Sequence, residues 1–140
     1  MMELGIIGFW HSGKTTVFNV LCKGRAETFR HTEDGSRVHL STVKIRDHRA
    51  EALAGKFQPP KTTLATTRII DVDAPPSTLE EADTSHHTSI LESQLRHLAT
   101  ADVWLAVVRG FSAQDLPPPD VRKEMTNIVL ELILSDLSKI

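Results

Sequence analysis

The chain has 140 residues, 40% hydrophobic and 24% charged, with a formal net charge of −2. That make-up fits one folded domain with a real core and excludes intrinsic disorder, a membrane span of ~18 apolar residues and a signal peptide. The single cysteine, Cys22, excludes an internal disulfide framework and a cysteine-based metal cluster, and the simplest setting is a reduced cytoplasm.

Leu4-Gly5-Ile6-Ile7-Gly8 reads as a short buried strand ending at glycine. Lys14 to Lys23 reads as a helix with Val17, Val20 and Leu21 on one apolar face, Phe18 beside it, and Gly24 as its left-handed stop. Thr28 to Arg37 is polar, with Glu33-Asp34-Gly35 as a turn, and is read as a loop. Val38 to Ile45 is a strand whose imperfect alternation suggests a bulge or phase break. Asp47 caps a short helix that runs to Phe57 and stops before Pro59-Pro60. Leu64 to Val72 is the next strand, and Pro75 opens a polar stretch to about Thr88.

Ile90 to Leu98 is helical, with Leu91, Leu95 and Leu98 on one stripe. Val103 to Val108 reads as a second short buried strand. Pro117-Pro118-Pro119-Asp120 leads stiffly into a last helix, Val121 to Lys139. Its main stripe is Val121, Met125, Ile128, Val129 and Leu132, while Leu130 and Leu134 lie opposite. A second apolar face predicts a missing neighbour or a dimer through this helix. Strands alternating with helices imply an α/β fold with a largely parallel sheet.

One motif carries chemistry. Gly8-Phe9-Trp10-His11-Ser12-Gly13-Lys14-Thr15 fits G-x-x-x-x-G-K-[ST], the phosphate-binding P-loop, between a strand and a helix. Its glycines let the backbone wrap closely, so that amides from His11, Ser12, Gly13, Lys14, Thr15 and Thr16 face a β-phosphate at a helix N-terminus. Lys14 would neutralise β/γ oxygens, and the Thr15 hydroxyl would bind Mg²⁺. Such a site needs an aspartate at the end of a neighbouring strand, and Ile69-Ile70-Asp71 supplies it. Asp73 is the near competitor, since alternation points it the same way.

These residues resemble the Obg-like ATPase (YchF) family of translation-factor GTPases. Gly8 through Leu21 is similar to that family's Gly-Leu-Pro-Asn-Val-Gly-Lys-Ser-Thr-Leu-Phe-Asn-Ala-Leu. Asp47 through Leu53 is similar to its Asp-Pro-Arg-Leu-Asp-Ala-Leu, and the strand ending at Asp71 to its Glu-Phe-Val-Asp-Ile-Ala-Gly. Leu98 to Asp102 and Val107 to Phe111 echo two further segments, and Asp120 to Leu137 resembles the helix before the family's coiled-coil insertion. The resemblance implies a G-domain-like P-loop NTPase, a three-layer sandwich with one antiparallel edge strand. It implies that Val38–Ile45 pairs antiparallel with Leu64–Val72, that GTP or ATP binds with Mg²⁺, and that the protein associates with the ribosome or ribosomal RNA. It also implies a domain cut short at the C-terminus: residues 1–140 hold the phosphate-binding and switch half, without base-recognition half, helical insertion or TGS domain.

Two local departures bear on activity. The family's Asp-x-x-Gly becomes Asp71-Val72-Asp73-Ala74, followed by Pro75, which has no N–H to offer a γ-phosphate. Trp10 and His11 replace Pro-Asn in the loop; Trp10 either folds outwards or stacks on a partner, and His11 reads as a solvated loop histidine. For the switch threonine that completes a magnesium shell, Thr32 is the best candidate and Thr28 the second. His86-His87 lack a third ligand and are not read as a metal site. Cys22 is read as core rather than as a nucleophile.

Two functions follow as expectations. One is a nucleotide switch hydrolysing GTP or ATP slowly, with Lys14 as its catalytic residue. The other is a degenerate, non-hydrolysing G-domain acting as a protein–protein module. A P-loop kinase is the weaker third, since no lid or acceptor base is recognisable.

Overall fold

A computed structural model of the chain describes residues 1–24, 28–31, 35–73, 87–113 and 116–137, those at 28–31 and 87–92 by backbone alone. The elements in chain order are β1 (Met2–Ile7), α1 (Lys14–Leu21), β2 (Thr28–His31), β3 (Arg37–Lys44), α2 (His48–Phe57), β4 (Thr66–Asp73), α3 (His87–Leu98), β5 (Val103–Ala106) and α4 (Val121–Leu137). The strands form one sheet in the order β2-β3-β4-β1-β5. Strands β4, β1 and β5 run parallel, and β3 runs antiparallel to both β2 and β4. The expected antiparallel pairing of the third and fourth strands is therefore present.

Alternation along the strands sends side chains to opposite faces and builds two cores. Ile6 and Ile69 face α1, where Phe18 and Cys22 cover them. Ile7, Ile70 and Val72 face the other way, under Leu95 and Leu98 of α3 and Ile128 of α4. Helices on both faces of a mostly parallel sheet make an α/β arrangement of the Rossmann-like kind. Gly5 allows the close approach of α3, since a Cβ there would lie 2.9 Å from Leu98 Cδ2. Among the described residues, no helix is long and apolar enough to cross a membrane.

Several sequence expectations need correction. The polar run read as a loop contains β2, which pairs residue for residue with β3 from Thr28↔Leu40 to His31↔Arg37. Backbone pairing at a sheet edge needs no apolar pattern, so composition concealed it. The reversed strand is accordingly β3, one position in from the edge. Strand β3 carries no bulge, because all eight of its residues stay in step with β4. Its mixed pattern arises because both faces are partly covered: Val38 and Leu40 on one core, Val43 on the other.

Helix α1 buries Lys14 and Phe18, and its C-cap Cys22 is buried on the same face at i, i+4, i+8, while Val20 and Leu21 are exposed. Cys22 is thus a core residue, as read. Strand β5 is an edge rather than a buried strand, with Val103 and Trp104 exposed. Of the main stripe on α4, Ile128 and Leu132 reach the core, while Val121, Met125 and Val129 stand exposed beside Leu130 and Leu134. Asp47 does cap α2, accepting from the Arg49 amide at 2.9 Å, although no residue of that helix is buried.

Candidate functional site

The turn between β1 and α1 is held in place from both sides. Gly8 meets the backbone of the chain leaving β5, where a Cβ would fall 2.3 Å from the Val107 carbonyl oxygen; only glycine fits. On the other side, the buried Gln94 side chain of α3 bonds both backbone polar groups of Gly8. His11 (φ 59°) and Gly13 (φ 97°) take left-handed conformations within this turn. Gly13 is also the N-cap of α1 and offers no side-chain cap, so the first-turn amides and the positive end of the helix dipole stay available to a ligand.

Lys14 reaches back into this turn. Its Nζ donates to the Phe9 carbonyl at 2.9 Å, and the residue is only 7% exposed. Burial pushes the ammonium below its ordinary range, and the nearby Asp71 and Asp73 carboxylates partly offset that push. The Thr15 hydroxyl donates to Asp71 Oδ2 at 2.9 Å, which joins the start of α1 to the end of β4 across 56 residues of sequence. Asp71 is fully buried, and its second oxygen, Oδ1, has no hydrogen-bond partner. A buried carboxylate with an unused oxygen beside a hydroxyl is a donor set that fits a hard divalent cation.

An open cleft of about 190 Å³ lies over the turn, lined by Trp10, His11, Gly13, Lys14, Thr15, Thr16 and Asp73. Pockets that bury a whole drug-sized ligand start near ~300 Å³, so this cleft is smaller than such a pocket. Trp10 stands edge-on to His11, with ring centroids 5.2 Å apart and planes at 79°, and it is 37% exposed. It therefore forms part of the cleft wall. Ser12 lies beneath the turn, buried, with its hydroxyl unpartnered.

Gly8, His11, Ser12 and Gly13 thus lie in the turn and Lys14, Thr15 and Thr16 in the first turn of α1, with Asp71 bonded to Thr15. Asp73 faces the same cleft, as alternation suggested. Thr32, His86 and the segment from Ala74 through Pro75 lie outside the described residues, as does the side chain of His87. Thr28 sits on β2, separated from the strand of Asp71 by β3. Among the described residues, no group of three or more His, Cys, Asp or Glu side chains could hold a metal ion. A cation here would draw on Asp71, the Thr15 hydroxyl and oxygens brought by a ligand.

Sequence reasoning missed two residues of the site. Gln94 anchors Gly8, and His39 of β3 lies with Nδ1 3.3 Å from Asp71 Oδ2. His39 could have been found only from the register His39↔Asp71, which the long connection through α2 hides in the sequence. A glutamine on the buried stripe of α3 was a visible signal, because such a side chain needs partners. No protein-family model and no curated protein matches this chain.

Proposed function

We propose that this chain is a P-loop protein of G-domain type that binds a purine nucleoside triphosphate, GTP or ATP, with Mg²⁺ and hydrolyses it slowly. The observation that carries the reading is the Thr15–Asp71 bond beside the buried Lys14, next to a cleft that Lys14 and Thr15 line. Mg²⁺ characteristically takes one or two carboxylates together with phosphate oxygens, which is the donor set Asp71 and Thr15 leave to be completed. A bound Mg²⁺ would neutralise developing charge on the phosphates.

In this reading, the amides from His11 to Thr16 orient the phosphate chain, and Lys14 exchanges the Phe9 carbonyl for β/γ oxygens. Lys14 then stabilises charge as it grows on the bridging oxygen. Among the described residues, no side chain of the cleft is bonded so as to act as a committed base, so turnover in this reading rests on electrostatics and is slow. Asp73 in the cleft wall makes the cation necessary, because a polyphosphate and two carboxylates repel without it. A cytoplasmic, ribosome-associated switch of the Obg-like ATPase type is the biological setting that the sequence resemblance adds to this proposal.

The test is a titration of the chain with a fluorescent ATP analogue, with and without Mg²⁺, followed by competition with ATP, GTP and inorganic triphosphate. Magnesium-dependent binding that all three displace supports the reading. A cooperatively folded chain that binds none of them at millimolar concentration overturns it, leaving a non-hydrolysing interaction module.

A further inference from the structure

Strands β3 and β4 bring a histidine to the carboxylate of the site. His39 and Asp71 are directly opposite in the antiparallel register, so both project to the α1 face of the sheet. His39 Nδ1 lies 3.3 Å from Asp71 Oδ2, and Thr15 Oγ1 lies 2.9 Å from the same oxygen. The imidazole is 19% exposed and Asp71 is fully buried. The ring of Phe18, with its centroid 5.9 Å away and tilted by 37°, packs against the imidazole from α1. Two polar groups, the Thr15 hydroxyl from α1 and the His39 imidazole from β3, therefore meet on one oxygen of a β4 carboxylate whose other oxygen is unused.

We infer that His39 is a third protein ligand of a divalent cation at Asp71 and Thr15, and that the site prefers a Mn²⁺-type transition ion over Mg²⁺. This deepens the phosphate-and-cation reading above and rests on it. Adjacent ligands of an octahedral ion, bonded at about 2.1 Å, lie about 3 Å from each other. The two separations measured around Asp71 Oδ2, 2.9 and 3.3 Å, straddle that value. An imidazole nitrogen is a ligand that transition ions take readily and that Mg²⁺ does not select. The charge balance also allows it: Lys14 is the cation beside the site, against Asp71, Asp73 and the phosphates of a bound ligand.

The competing geometry is a plain hydrogen bond from His39 that only orients Asp71. The two differ in what they do to ion choice. An orienting histidine supports Mn²⁺ and Mg²⁺ alike, whereas a ligating one favours Mn²⁺.

The experiment is electron spin-echo envelope modulation on the full chain loaded with Mn²⁺, with and without ATP, beside Mn²⁺ and Mg²⁺ affinities for wild type, His39→Phe and His39→Gln. The expected result is ¹⁴N coupling from a directly bound imidazole, lost in both variants. Mn²⁺ affinity should fall by at least about tenfold while Mg²⁺ affinity changes less than about threefold. Absence of that coupling in wild type, or equal loss of both ions, overturns the inference. The wild-type spectrum keeps the test decisive even if a variant folds poorly. Triphosphate binding is scored separately by displacement of the fluorescent analogue. Displacement without ¹⁴N coupling sinks the His39 ligand and leaves the phosphate reading standing. If no triphosphate binds, the phosphate reading has failed, and the spectrum with Mn²⁺ alone still decides the role of His39.

Discussion

The carboxamide of Gln94 closes a two-bond ring on the backbone of Gly8: the Gly8 amide donates to Oε1 at 3.1 Å, and Nε2 donates to the Gly8 carbonyl at 3.0 Å. Helix α3 is thereby tied to the first residue of the turn between β1 and α1. The side chain is fully buried, so water cannot replace either bond. Gln94→Leu leaves both backbone groups of Gly8 unsatisfied and should cost about 2–4 kcal/mol in urea unfolding. Gln94→Glu sets a buried carboxylate oxygen against the Gly8 carbonyl oxygen, so at neutral pH it should be at least as destabilising as the leucine variant.

Lys14 gives a prediction with a pH signature. Its ammonium is held below the usual 10.5 mainly by burial, so the folded state binds the proton less tightly than the unfolded chain. The unfavourable contribution is fully present below the folded pKa and disappears as pH rises towards 10.5. Lys14→Met should therefore unfold at a higher urea concentration than wild type at pH 7, with the gap narrowing in alkali. The same variant, like Lys14→Ala, should lose triphosphate binding by at least about 100-fold, since a buried charge-assisted contact to phosphate has gone.

The two glycines of the turn should fail for different reasons. Gly8→Ala places a Cβ 2.3 Å from the Val107 carbonyl oxygen, while Val107 is itself bonded to Ile7 at 2.8 Å, so neither backbone can yield. A loss of about 3 kcal/mol is expected, close to the upper end for overpacking. Gly13→Ala meets nothing nearer than Phe111 Cε1 at 3.9 Å and suffers only from its φ of 97°. Its cost should be about 1–2 kcal/mol. Thermal melts of the two variants side by side test the order.

Trp10 lines the cleft, whereas Trp104 lies on β5 with its indole N–H bonded to the Leu98 carbonyl at 3.2 Å. Triphosphate with Mg²⁺ should change intrinsic fluorescence in Trp104→Phe and leave it unchanged in Trp10→Phe. A signal that survives only in Trp10→Phe would remove Trp10 from the binding cleft.

On α4, Ile128 is 1% exposed and Leu134 is 54% exposed. Ile128→Ala should cost about 2–4 kcal/mol and Leu134→Ala under about 0.5 kcal/mol in denaturant unfolding. Equal costs would mean that Leu134 is covered in solution, as a dimer through this helix requires.

The turn, its lysine and the strand-end aspartate were legible because each depends on residues close in sequence: Gly8, Gly13 and Lys14 at fixed spacing, and Asp71 after two aliphatics. The antiparallel partnership of β3 and β4 could be anticipated only through the family resemblance. What stayed hidden depends on register and on which side of an element faces inwards. Phe18 rather than Val20 is buried because Lys14 must point into the turn, and that choice rotates the rest of α1 with it. Strand β2 was missed because its order comes from backbone pairing to β3. His39 was missed because its partner lies 32 residues away.

The bond from Lys14 to the Phe9 carbonyl makes the protein its own first occupant of the site. If the turn binds a polyphosphate as proposed, the incoming anion would compete with a dipole already in place, so only the difference between two interactions would appear as affinity. A singly charged ion would gain little from that exchange, while a multiply charged chain would gain at several oxygens at once. The placeholder would then discriminate by charge. It would also hold the lysine in a defined position beforehand, which spares an encounter the entropy of ordering a long side chain.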